Sequence, residues 1–205
     1  MRNSPHALRL NIEHFHEFRR CLESGRRADA ARSVNAFIGS FAGLDEKIAW
    51  TKAFLDARDV SDRIRHELYE NVVFPALLDG YRRGDTWSLW WLARTMQNLY
   101  ASEILWRQVD FLTAEAFLRA LLLQHPDHED ARRALLARLV DGLRYAVHEW
   151  PRGILYGRDG ATLTECDDLG ATLAEARSLD SEQVYSNFLD DFQRKLREYA
   201  ARLKT

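Results

Sequence analysis

Apolar residues recur along this chain with the pitch of an α-helix and almost never with the alternation of a strand. Ser4-Pro5, a cap followed by a proline suited to a first helical turn, precedes the stripe Leu8, Ile12, Phe15, Phe18 and Leu22, and Gly25 closes it. A second helix is predicted from about Arg26 to Ser40, with Ala30, Val34, Phe37, Ile38 and Phe41 inward. Asp45 opens a third, carrying Ile48, Phe54 and Leu55. Ser61 is placed to cap a fourth with Ile64, Leu68, Val72 and Val73. Pro75 lies inside that pattern. It is expected to kink or break the helix near Val73 and Phe74, because it lacks an N–H and its ring clashes with the preceding turn.

The stretch after Gly84-Asp85 is the most hydrophobic. Leu89, Leu92, Met96 and Leu99 form one face of a helix, and Trp87, Trp91, Arg94 and Asn98 line the opposite one. A helix apolar on two faces is normally packed on both. Thr113 reads as the cap of a further helix, with Leu112 stapled to Phe117. Pro126-Asp127 ends that helix and starts the next, with Asp127 as cap and Ala131, Leu135, Leu139, Leu143, Ala146, Val147 and Trp150 inward. Periodicity stops at Trp150-Pro151. The segment 154–163 reads either as a small β-hairpin turning at Asp159-Gly160 or as an irregular loop. Thr164 and Asp167 form a candidate capping pair for a helix to Arg177. Ser181 opens the last helix, striped by Val184, Tyr185, Phe188, Phe192, Leu196, Tyr199 and Leu203. The expectation is an all-α domain of antiparallel helical hairpins, a bundle or short solenoid. It comprises N-terminal helices over 1–60, central hairpins over 61–150, an insertion over 151–164 and C-terminal helices over 165–205.

One stretch resembles the tetratricopeptide repeat: Phe117-Leu-Arg-Ala120-Leu121, then Pro126-Asp-His-Glu-Asp-Ala131 and Leu135. Phe117, Ala120, Pro126, Ala131 and Leu135 match the family's bulky–small–Pro–Ala–Leu order over about 113–150. The Ala-to-Pro spacing is one residue too long. Arg132 stands where the family has an aromatic, and Leu136 where it has a glycine. No second copy follows at the family's period of about 34 residues. The phrases Leu77-Leu-Asp-Gly-Tyr-Arg82 and Leu139-Val-Asp-Gly-Leu-Arg144 are a weaker internal echo. The resemblance implies stacked antiparallel helical pairs and a concave surface that binds another protein.

Composition narrows the function classes. The 205 residues carry 29 Lys+Arg against 31 Asp+Glu, so the net charge of −2 disfavours a chain-wide nucleic-acid surface. Arginine dominates the basic residues, which reads as a GC-rich, bacterial coding bias. Cys21 and Cys166 are far apart and form no ligand spacing, which favours a reducing, cytoplasmic setting without a disulfide. No uncharged apolar run approaches the ~20 residues of a membrane span, and no secretory leader is evident.

No phosphate loop, metalloprotease helix, nucleophile elbow or calcium loop occurs, so neither a catalytic set nor a cofactor or metal is expected. His125 and His128 with Asp127, Glu129 and Asp130 read as a solvated helix start rather than a metal cluster. The basic pairs Arg19-Arg20 and Arg26-Arg27 are interleaved with acids and read as charged helix faces. The candidate binding residues are Trp87, Trp91, Arg94 and Asn98, with His148, Trp150 and Tyr156 at the break in periodicity. Indoles inside a helical protein are usually core. The competing reading is a groove in which Arg94 and Asn98 orient a partner, because Trp and Arg dominate interface hot spots. The expectation is a protein-binding module, an adaptor or an immunity-type neutraliser. An all-helical enzyme or small-molecule binder with a site between helices is the alternative. A homo-oligomer stays open.

Overall fold

The computed structural model describes residues 5–57, 64–147 and 160–204, with side chains from residue 12 onward, and every regular element among them is helical. The chain divides into two compact units, Met1–Ala120 and Leu121–Thr205.

The first unit opens with α1 (Pro5–Glu23), α2 (Arg27–Gly39) and α3 (Leu44–Asp56). Then α4 (His66–Leu68) runs through a π-turn, Tyr69–Val73, into α5 (Phe74–Arg82). The chain continues as α6 (Thr86–Arg94), α7 (Met96–Tyr100), α8 (Glu103–Arg107) and α9 (Ala114–Gln124), and the division between the units falls inside α9. α1 packs on α2, α3 on the π-turn and α5, and α5 on α6. The core gathers Val34, Phe37, Leu55, Tyr69, Phe74, Leu77, Leu92, Leu99 and Phe117.

Two glycines set the tightest corners here. Gly25 at φ 72° lets Arg26 N–H reach back to Cys21 O at 2.8 Å, and Gly84 at φ 74° lets Asp85 N–H reach Gly80 O at 2.9 Å. This six-to-one closure needs a left-handed residue, which glycine adopts without steric cost. After α8 the same closure joins Phe111 N–H to Trp106 O at 3.1 Å, but Asp110 and Phe111 hold φ values of 54° and 55° without being glycines. The strain is met by Trp106, whose Nε1 donates to Leu112 O at 2.8 Å.

Pro75 does not end its helix. The preceding turn widens, with Phe74 N–H bonding to Tyr69 O five residues back, and α5 continues beyond it. A π-turn removes the bond that proline cannot make and draws the crowding carbonyl away from its ring. The expected cap Ser61 lies outside the described residues, and Ile64 precedes the helix instead of joining it.

The second unit holds α10 (Glu129–Val147), α11 (Leu163–Leu179) and α12 (Ser186–Leu203), with α11 packed on both of the others. Leu135, Leu139, Val140, Leu143, Leu173, Leu189, Phe192 and Tyr199 are buried. Three expected helix starts are corrected. His128, not Asp127, caps α10: its Nδ1 accepts the Ala131 N–H at 3.2 Å. Thr162 with Glu165, not Thr164 with Asp167, forms the capping box of α11. The glutamate reaches back to the Thr162 N–H at 2.7 Å, which an aspartate, one methylene shorter, does less well. The last helix starts at Ser186, not Ser181. Asp180 accepts the N–H groups of Val184 and Tyr185 at 2.9 and 2.8 Å, and Gln183 sits at φ 56°, so a turn occupies 180–185.

Ala161 and Thr162 are irregular and Leu163 is helical, so they form no strand; residues 154–159 of the expected hairpin lie outside the described residues. Thr162→Ala should destabilise the second unit by about 1 kcal/mol through loss of the cap. A urea titration followed by circular dichroism checks this, and an unchanged midpoint would show that the cap contributes nothing.

Candidate functional site

α6 starts firmly. Asp85 accepts the Ser88 N–H at 3.2 Å and the Ser88 hydroxyl at 2.7 Å. From that start the helix projects Trp87, Trp90, Trp91 and Arg94 over its two and a half turns. Trp91 is buried, Trp87 and Trp90 are half-buried, and Arg94 is exposed. The Arg94 guanidinium carbon stands 4.7 Å from the Trp90 ring and 5.6 Å from the Trp91 ring. Trp87 and Trp91 have ring centres 6.2 Å apart. The Trp87 indole N–H donates to Asp56 at 2.8 Å, and the Lys52 ammonium lies 5.5 Å from the same ring. Both partners belong to α3, so α3 fixes one end of the indole row.

The structure therefore brings Trp87, Trp91 and Arg94 together and adds Trp90 to them. Asn98 goes elsewhere. It is 2% exposed, and its amide donates to Ile64 O at 2.7 Å. The cause is Thr95, which separates α6 from α7. Its hydroxyl bonds the Trp91 carbonyl at 2.7 Å and contacts the buried Tyr69 hydroxyl at 3.0 Å. A threonine bonding back four residues bends a helix, and the break shifts Asn98 out of line with Arg94. Burial holds the Tyr69 phenol well above its usual range, so it is neutral at any physiological pH. His148, Trp150 and Tyr156 lie outside the described residues.

Two cavities were not anticipated from the sequence. The first, about 720 Å³, opens between α1 and the α2–α3 corner and is walled by Ile12, Phe41, Leu44, Trp50 and Ala53, with Asp45 and Glu46 at its edge. Behind it stands an aromatic cluster. Phe37 packs edge-on to Trp50 at 5.1 Å and to Phe41 at 4.9 Å, and Trp50 stacks on Phe54 at 4.5 Å. The spacings Phe37/Phe41, running past the end of α2, and Trp50/Phe54 on α3, each four apart, were the available signal. The second cavity, about 320 Å³, lies beside the 180–185 turn and is lined by Arg132, Leu136, Val184 and Tyr185 among others. Arg132 there bonds Glu129 at 2.5 Å and also Ser181, and this lowers the Glu129 carboxyl below its usual range.

Two of the arginines in the basic pairs, Arg20 and Arg26, sit in local ion pairs. Arg20 bonds Glu17 at 2.5 Å, and Arg26 approaches Asp29 at 3.4 Å. Cys21 donates to Glu17 at 3.2 Å. Burial, then that bond, pushes the Cys21 thiol above its usual range; the same bond and Arg20 pull Glu17 down. Burial also raises the Cys166 thiol, and both cysteines are free. Among the described residues no group of three or more His, Cys, Asp or Glu is placed to hold a metal, and no helix is long and apolar enough to cross a membrane. No family model, curated protein or solved structure matches this chain.

Proposed function

We propose that the chain is a cytoplasmic protein-binding module, an adaptor or an immunity-type neutraliser, that docks its partner on the indole and guanidinium face of α6. The observation that carries this is Arg94, exposed over the half-buried Trp90 ring at 4.7 Å. An exposed cation–π pair contributes only about 0.5–1 kcal/mol, and about 2 kcal/mol or more once water is excluded. Covering the pair therefore rewards binding more than folding. Trp and Arg are also the residues in which interface energy concentrates. Packing of α1 on α2, of α5 on α6, and of α11 on α10 and α12 supports a fold of paired helices, and Phe117, Ala131 and Leu135, the positions that carry the repeat resemblance, are buried.

Arg94→Ala should leave the melting temperature within about 2 °C, as for other exposed substitutions. It should weaken partner capture at least about tenfold. Affinity capture from the source organism, wild type against variant and read by mass spectrometry, checks both parts. Loss of fold would make Arg94 structural. Capture of no partner, together with turnover in a metabolite screen, would favour the alternative of an all-helical enzyme.

A further inference from the structure

We infer that the cavity between α1 and the α2–α3 corner is a binding site for a small organic cation with an aromatic or apolar body. Three observations converge on this class. The first is size: about 720 Å³ lies in the range of pockets that hold drug-sized ligands. The second is the wall. Phe41 and Trp50 are half-buried, and Ile12 and Leu44 remain 46% and 41% exposed at the rim, so the opening offers apolar surface that the fold leaves uncovered.

The third is charge. Elsewhere several partly exposed rings carry one of the chain's own cations: Lys52 over Trp87, Arg94 over Trp90, and Arg144 over Tyr185 and Phe188. Among the described residues no Lys or Arg lies over Phe41 or Trp50, and none lines the cavity. Among the described residues its ionisable lining groups are two acids, Asp45 and Glu46, and no described Lys, Arg or His forms an ion pair with either. Glu46 gives one oxygen to the Ala42 N–H at 2.8 Å, which leaves its other oxygen for a ligand. Both acids also suit the positive end of α3. That role explains their presence on a helix but not aromatic rings facing an open volume beside them. An ammonium group at the carboxylates, with its body against Phe41 and Trp50, would be both ion-paired and held by the rings. A carboxylate or phosphate ligand would meet two like charges.

The test uses the full chain and three probes of one shape: 2-phenylethylamine, protonated at neutral pH, 2-phenylethanol and 3-phenylpropionate. Binding is followed by two-dimensional amide NMR, with the Trp50 indole signal assigned from Trp50→Phe. The amine should shift the amides of residues 42–53 and the Trp50 indole, and should bind at least about tenfold more tightly than the alcohol or the acid. In the double variant Asp45→Asn with Glu46→Gln, which keeps the shape and the acceptor for Ala42 N–H, amine affinity should fall about tenfold. Asp45→Asn alone, at a residue with no hydrogen bond to the described fold, should lose part of it, so a folding defect in the double variant cannot hide the result. Equal binding of the three probes, unchanged amine affinity in both variants, shifts confined to other regions, or no binding at all would each overturn the assignment.

Discussion

Replacing Phe37 by alanine should destabilise the first unit by about 3–5 kcal/mol, the usual range for removing a fully buried aromatic. Phe37 has no exposed surface, and its ring touches three others: Phe15 at 5.3 Å, Phe41 at 4.9 Å and Trp50 at 5.1 Å. Each contact is tilted or edge-on, the arrangement in which aromatic pairs add energy beyond the area they bury. The hole left by alanine would be walled by rings from α1, the α2–α3 corner and α3, which cannot close together without moving the helices. Phe41→Ala should cost distinctly less, because that ring already borders open volume. Urea denaturation of the two variants gives the comparison. An equal, small loss for both would mean that Phe37 is not the centre of the cluster.

That cluster shows where sequence reading succeeds and where it stops. The inward direction of Ala30, Val34 and Phe37 follows from helical pitch alone, and all three are buried. Pitch also places Ile12 and Leu22 inward, yet they are 46% and 37% exposed. A stripe fixes which side of a helix is apolar, but not how closely a neighbour covers each turn. A cavity is a gap of that kind, set by crossing angles that no single helix encodes. Asn98 fails for another reason. Its alignment with Arg94 assumed an unbroken helix, and the break depends on Tyr69, 26 residues away, holding the Thr95 hydroxyl. The misplaced caps are local contests between similar candidates: Thr162 against Thr164, and His128 against Asp127. Chain reach decides them, and propensity does not rank reach.

The internal echo of Leu77-Leu-Asp-Gly-Tyr-Arg82 in Leu139-Val-Asp-Gly-Leu-Arg144 leads to the second large prediction, because the two glycines should respond to alanine with opposite signs. At Gly80 an added Cβ would lie 2.0 Å from the Ser88 hydroxyl oxygen, 2.9 Å from the Ser88 Cβ and 3.0 Å from an Asp85 oxygen. Ser88 is buried and bonded to the Asp85 carboxylate, so it has no free path of retreat. Alanine would favour the α5 helix by about 1 kcal/mol. Forcing α5 from α6 should outweigh that gain and leave a net loss of about 2 kcal/mol. Gly142 lies in an exposed turn of α10 with nothing within 4 Å of the added carbon, so only the helix preference remains, and Gly142→Ala should stabilise by about 0.5–1 kcal/mol. A double-mutant cycle identifies the clash as the cause: in a Ser88→Ala background, which removes the closest atom, Gly80→Ala should cost less than in the wild type. If Gly80→Ala were neutral or stabilising in the wild type, α5 and α6 could not approach as closely as Gly80 and Ser88 require. The two matching phrases would then share a structural role that their surroundings now deny.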